Sequence, residues 1–132
     1  MKNSNYVTVE GLILELLDKT EKMYFWEWNQ QFDCEDFGLE LSRVGAQTVR
    51  VQLQNKTIPQ WLINAVNLQG CAYLIQIQNY RRKRIDIVGI DKTLLLRPEQ
   101  SGSFNLILPT IEGEGVKTLH FHLQNHHFLL PI

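Results

Sequence analysis

The sequence predicts an all-β domain: a small barrel with one capping helix at about 58–68, and a C-terminal β extension over 98–132. Three observations predict it. Apolar residues alternate with polar ones in short runs, the pattern of half-buried strands. Only "TIPQWLINAVNLQG" combines helical spacing with start and stop signals. The 132 residues are 44% hydrophobic and 20% charged, an ordinary globular balance in a chain long enough for one core without staples.

In "YVTVEGLILELL", Val7 and Val9 alternate with Thr8 and Glu10 until Gly11 interrupts, the mark of a bulge or bend in a long barrel strand. After a polar turn, "KMYFWEWNQQF" puts Tyr24, Trp26 and Trp28 on one strand face and Met23, Phe25 and Glu27 on the other. "FGLELSRV" alternates Phe37, Leu39 and Leu41 against Gly38, Glu40 and Ser42. "QTVRVQLQN" does the same with Val49, Val51 and Leu53 against Thr48, Arg50, Gln52 and Gln54. In the helical stretch Thr57 and Gln60 form a capping box, and Pro59 sits where a missing N–H costs little. Ile58, Leu62 and Val66 make one stripe, and Gly70 is placed to end the helix in a left-handed conformation. Two strands follow, "AYLIQIQN" and "RIDIVGIDKTLLL", joined by a tight turn at Asn79 and Tyr80. "FNLILP" and "KTLHFHLQNHHFLLP" add strands around the turn "EGEG".

Three strands, a helix and two more strands is the element order of the OB-fold, a small partly open barrel. From about Asn5 to Leu96 the chain resembles the single-stranded DNA-binding protein family, including its primosomal relative. "NYVTVEGLI" resembles the opening strand with its mid-strand glycine, and "FGLELSRV" with "QTVRVQLQN" the paired second and third strands. "IPQWLINAVNLQGCAYLIQIQ" is similar to the segment that closes the barrel, and "RIDIVGIDKTLLL" to the final strand. The resemblance implies a homo-oligomer, dimer or tetramer, with edge strands pairing between subunits. It does not extend to residues 98–132, which form one domain with the rest.

The net charge of −1 conceals an asymmetry. Residues 1–40 carry nine acids against three bases, net −6, and residues 41–97 carry nine bases against two acids, net +7. A basic middle segment serves a phosphate backbone or balances the acidic part of the same molecule. No apolar run approaches the ~18 residues of a membrane span. The sequence opens without the apolar core of a secretory signal, and Cys34 and Cys71 are not arranged as a disulfide framework. These features lead to the expectation of a cytoplasmic protein with no membrane partner.

Three constellations are candidates for function. The row Tyr24, Trp26, Trp28 suits base stacking, which contributes ~1–3 kcal/mol per base without demanding sequence. Core packing and a protein interface explain the same row equally well. "YRRKR", Tyr80 with Arg81, Arg82, Lys83 and Arg84, suits phosphate contacts beside a stacking ring, and Arg50 and Gln52 extend it with donors. A solvated turn is the competing explanation. In "HFHLQNHH", His120 and His122 share a strand face at a chelating spacing, and His126 stands across a turn as a third ligand. Surface histidines alternating with a buried Phe121 is the favoured reading, so no metal and no cofactor are expected. The role of His127 stays open with that of the whole cluster.

No HExxH, GxSxG, P-loop or GxGxxG occurs, and "DCEDF" reads as a solvated acidic loop. The expectation is a non-catalytic protein that binds single-stranded nucleic acid, DNA ahead of RNA. The alternative is an interaction module or assembly subunit whose aromatic strand meets a protein partner.

Overall fold

Among the described residues, period-two alternation builds twelve strands and leaves little helix. The computed structural model describes residues 21–68 and 70–132; the expected opening strand around Val7, Val9 and Gly11 lies outside them. The chain runs through β1 (Lys22–Phe25), β2 (Gln31–Asp33), β3 (Phe37–Arg43) and β4 (Thr48–Asn55). Then come β5 (Trp61–Ile63), α1 (Ala65–Leu68), β6 (Ala72–Gln78), β7 (Arg81–Asp86) and β8 (Gly89–Ile90). β9 (Leu94–Leu96), β10 (Ser101–Ile107), β11 (Val116–Leu123) and β12 (His126–Pro131) follow.

Five strands in the order β1-β12-β11-β6-β7 form one sheet, and β2-β3-β4-β10-β8 form the other. The short pair β5 and β9 stands apart. Each long strand turns one parity inward. Leu74 of β6, Leu119 and Phe121 of β11, and Phe128 and Leu130 of β12 meet Phe37, Leu39, Leu41, Val49, Val51, Leu53, Phe104 and Leu106 in a single core. Rings cross the gap: Phe32 lies 5.0 Å from Phe128, and Phe37 lies 5.3 Å from His126. Two faces sharing one apolar layer make a sandwich. The fold is all-β, as expected, but the pairing among the described residues makes two open sheets and no closed barrel.

Residues 98–132 do not hang on a completed unit. β10 sits between β4 and β8 at the interior of one sheet, and β11 between β12 and β6 at the interior of the other. The stretch "RIDIVGIDKTLLL" is likewise not one strand. It divides into the end of β7, then β8 and β9, which belong to three different sheets. The chain crosses from sheet to sheet at Ile87, after which the Val88 N–H donates to the Ile107 carbonyl at 2.8 Å.

The helix expected over 58–68 is the largest departure. Its first half is strand β5, with Trp61, Leu62 and Ile63 opposite Leu96, Leu95 and Leu94. Only Ala65–Leu68 is helical. The capping box fails because Asn55, wholly buried, takes its parts. The Asn55 Oδ1 accepts from the Thr57 N–H at 2.8 Å and from the Thr57 hydroxyl, which ties the Thr57 side chain to Asn55. The Asn55 Nδ2 donates to the carbonyls of Pro59 at 2.9 Å and Leu96 at 3.0 Å, which lays the loop against β9. Asn64 caps the short helix instead, accepting from the Asn67 N–H at 2.8 Å. Gly70 does take the left-handed conformation, φ 82°.

Replacing Asn55 by Ala should leave the Leu96 carbonyl buried without its partner and free the loop from β9. We expect a loss of about 2–4 kcal/mol in urea unfolding, from the two or more bonds that go. A change under about 0.5 kcal/mol, the size of an ordinary surface substitution, would show that the loop is held by other means.

Candidate metal centre

The inner parity of β11 and β12 fills the core, so the other parity must face away from it. On β11 that parity is Thr118, His120 and His122; on β12 it is His127 and Leu129. The hairpin register sets His122 opposite His127 and His120 opposite Leu129. Three imidazoles are thereby gathered on one outer face, and one ring nitrogen from each lies within 4.8 Å of the others. The rings of His122 and His127 stack at 3.8 Å between centroids, and His120 Nδ1 lies 2.8 Å from His127 Nε2.

Glu21, immediately before β1, reaches the same spot. Its Oε2 lies 2.9 Å from His122 Nδ1, and its Oε1 lies 3.8 Å from His127 Nδ1. A carboxylate only accepts, so Nδ1 of His122 donates to Glu21, and its Nε2 lies 2.8 Å from the Tyr73 hydroxyl. Hydrogen-bonding an imidazole Nδ1 to a carboxylate is the arrangement that orients metal-ligating histidines and raises their basicity.

The electrostatics suit a cation. Burial pushes His120 down from 6.5 to about 4 and His127 to about 3, and neighbouring positive charge acts in the same direction. Both rings are therefore neutral at physiological pH, the form that coordinates metal. The hydrogen bond from His122 holds the Glu21 carboxyl below its ordinary value, so one negative charge is present. Three nitrogen donors with a carboxylate suit a divalent first-row transition metal, zinc included, better than calcium or magnesium.

This overturns the reading of these residues as surface histidines. His120, His126 and His127 are all buried. The third ring is also His127 rather than His126. His126 points into the core, 3.1 Å from the Tyr24 hydroxyl and against Phe32 and Phe37. The signal lay in the turn. A two-residue connection at Gln124 and Asn125, with Gln124 at φ 55°, puts 122 opposite 127.

The residues expected to bind nucleic acid do not form one groove. Tyr24 packs on Phe128 with a 5.1 Å centroid separation, and Trp26 and Trp28 also lie partly buried against the core. Trp28 Nε1 donates to the Pro131 carbonyl at 2.9 Å. Of the three readings of this row, the packing favours core; the exposed ring of β1 is Phe25, 84% accessible. Arg81, Arg82, Lys83 and Arg84 form β7, the opposite edge of the same sheet, roughly 19 Å from β1 at ordinary strand spacing. Arg50 and Gln52 belong to β4 of the other sheet, on the parity opposite to its core residues Val49, Val51 and Leu53.

No protein-family model matches the sequence, and no curated protein is significantly similar to it. The fold is similar to that of an uncharacterized β-sandwich protein from Clostridium difficile 630 in a crystal structure, with a TM-score of 0.50. That likeness covers 86% of this chain and 98% of the other at 7% sequence identity, so it speaks to the fold alone.

The protonation states set a pH dependence. His120 and His127 have folded pKa values below the 6.5 of a free imidazole, so the unfolded chain binds more protons as pH falls. Their contribution to stability is full above about pH 6.5 and is lost as pH falls through about 4. Glu21, also depressed, acts in the same sense at the acid end of that window. The melting temperature of metal-free protein should therefore fall steadily between those pH values; a flat profile would mean that the rings are solvated.

Proposed function

We propose that this β-sandwich binds a divalent transition-metal ion through His120, His122 and His127, with Glu21 orienting the rings. One observation carries the reading: three imidazole nitrogens within 4.8 Å, two of them on neutral buried rings, presented by a single hairpin. Strand positions are held by the core, so the donors are arranged before a metal arrives. Three protein nitrogens leave a tetrahedral ion one further position, the pattern of sites that bind a reacting or exchangeable ligand.

Titration with Co(II), followed by its visible spectrum, tests this directly. One ion should bind per chain. His127→Ala should abolish tight binding, and Glu21→Gln should weaken it about 10–100-fold, as loss of an orienting carboxylate does. His126→Gln, altered on the core side, should keep wild-type affinity in whatever fraction folds. Equal losses for the His126 and His127 variants would refute this ligand set.

A second reading, binding of single-stranded nucleic acid with DNA ahead of RNA, is favoured by the β6–β7 hairpin. Tyr80 is completely accessible at its tip, and Arg81, Arg82, Lys83 and Arg84 follow it, all exposed. Charges on an edge strand also guard against edge-to-edge association, so exposure alone does not choose. Replacing the four cations with Ala should weaken oligo-dT binding and flatten its dependence on salt, since each lost phosphate contact releases about one counterion fewer. Unchanged binding at moderate salt would remove the hairpin from consideration.

A further inference from the structure

The basic strand and the histidine cluster share one face of one sheet. Register places Tyr73 of β6 beside His120 of β11 and beside Asp86 of β7. Ile75 likewise stands between Thr118 and Arg84, and Ile77 between Val116 and Arg82. Arg82 and Arg84 therefore project from the same side as the three imidazoles, with a single strand between.

Contacts close part of that gap. The Tyr73 ring stacks on His120 at 5.2 Å and on His122 at 5.5 Å. The Arg84 guanidinium lies over the Tyr73 ring at 4.1 Å, so it forms the next layer out from the cluster. Arg82 stands two positions before Arg84 on the same face of β7. Asp86 offsets little of this charge: its contact with Arg84 is 3.4 Å long and its side chain is 83% exposed.

We infer that a metal held by His120, His122 and His127 is the anchor of an oxyanion site, in which a phosphate group occupies the open coordination position and Arg82 and Arg84 bind its remaining oxygens. The inference rests on the metal reading. A divalent ion and two guanidiniums against the carboxylates of Glu21 and the exposed Asp86 leave a local excess of positive charge. That excess calls for a multiply charged anion rather than a neutral ligand or a cation. Guanidinium forks match phosphate oxygens in pairs, while the metal takes one oxygen directly. Free phosphate, a phosphate monoester or the terminal phosphate of a nucleic-acid strand all present this group.

The test uses Co(II)-loaded full-length protein with inorganic phosphate as the probe. In the wild type, phosphate should perturb the cobalt visible spectrum with saturation. The double variant Arg82→Gln, Arg84→Gln should bind Co(II) with wild-type affinity yet need at least about tenfold more phosphate, the loss expected for charged hydrogen bonds. Both residues are exposed, so folding should survive, and a matching melting temperature would confirm it. Co(II) binding with no spectral response to phosphate would overturn the inference and leave the metal site standing. An equal phosphate response in the double variant would overturn the role of the two arginines. Failure of the wild type to bind Co(II) would overturn both readings together. Competition by oligo-dT with and without a 5′-phosphate, against inorganic phosphate, then identifies which source of the group is preferred.

Discussion

The register of the β11–β12 hairpin is the constraint on which the rest depends. Leu119, Phe121, Phe128 and Leu130 face the core from these two strands, and burying each such side chain stabilises the fold by about 1.5–3 kcal/mol. A slip of one residue would turn His120 and His122 inward and expose the apolar set, because strand faces alternate with period two. The hydrophobic core thus enforces the geometry of the histidines without touching their polar atoms. The cluster inherits its rigidity from the packing on the other side of the sheet.

Buried imidazoles must be satisfied, and here they satisfy one another. His120 meets His127, His122 meets Glu21 and Tyr73, and none of their nitrogens is among the unpartnered buried atoms of the described residues. Such a network is costly to leave half-filled and cheap to hand over to a cation, which replaces several of these bonds at once. A proton does not fit the inner two rings, since burial disfavours their charged forms. A metal brings its charge with it and gains from the neutral lone pairs.

The same sheet separates the molecule's charges. Glu21 enters beside β1 at one edge, and the four cations of β7 line the other, with the histidines between. Glu21 of the acidic segment and the cations of β7 therefore flank the cluster from opposite edges of this face. The cations thereby protect an exposed edge and create a field over the cluster. The aromatic row of β1 serves the core instead, because Tyr24 lies opposite Phe128, whose parity faces inward.

Strong local periodicity made β3, β4, β6, β10, β11 and β12 legible, since alternation records which face of a strand is buried. Turn chemistry was legible too. Asn79 and Tyr80 both adopt positive φ at the tight hairpin, and Gly70 does so after the short helix. Pairing between distant segments was not. A helical stripe and a capping box in "TIPQWLINAVNLQG" yielded to Asn55 and to three leucines more than thirty positions later, because non-local bonds outweigh weak local propensity. The site divides along the same line. His120 and His122 on one face follow from the spacing alone. The choice of His127 over His126 follows from the hairpin register, and Glu21, 101 positions before its partner His122, from the parallel docking of β1 on β12. Sequence alternation determined which side chains leave the core together; only the tertiary structure decided which of them meet, because each strand's partner is chosen by the packing of the whole sandwich.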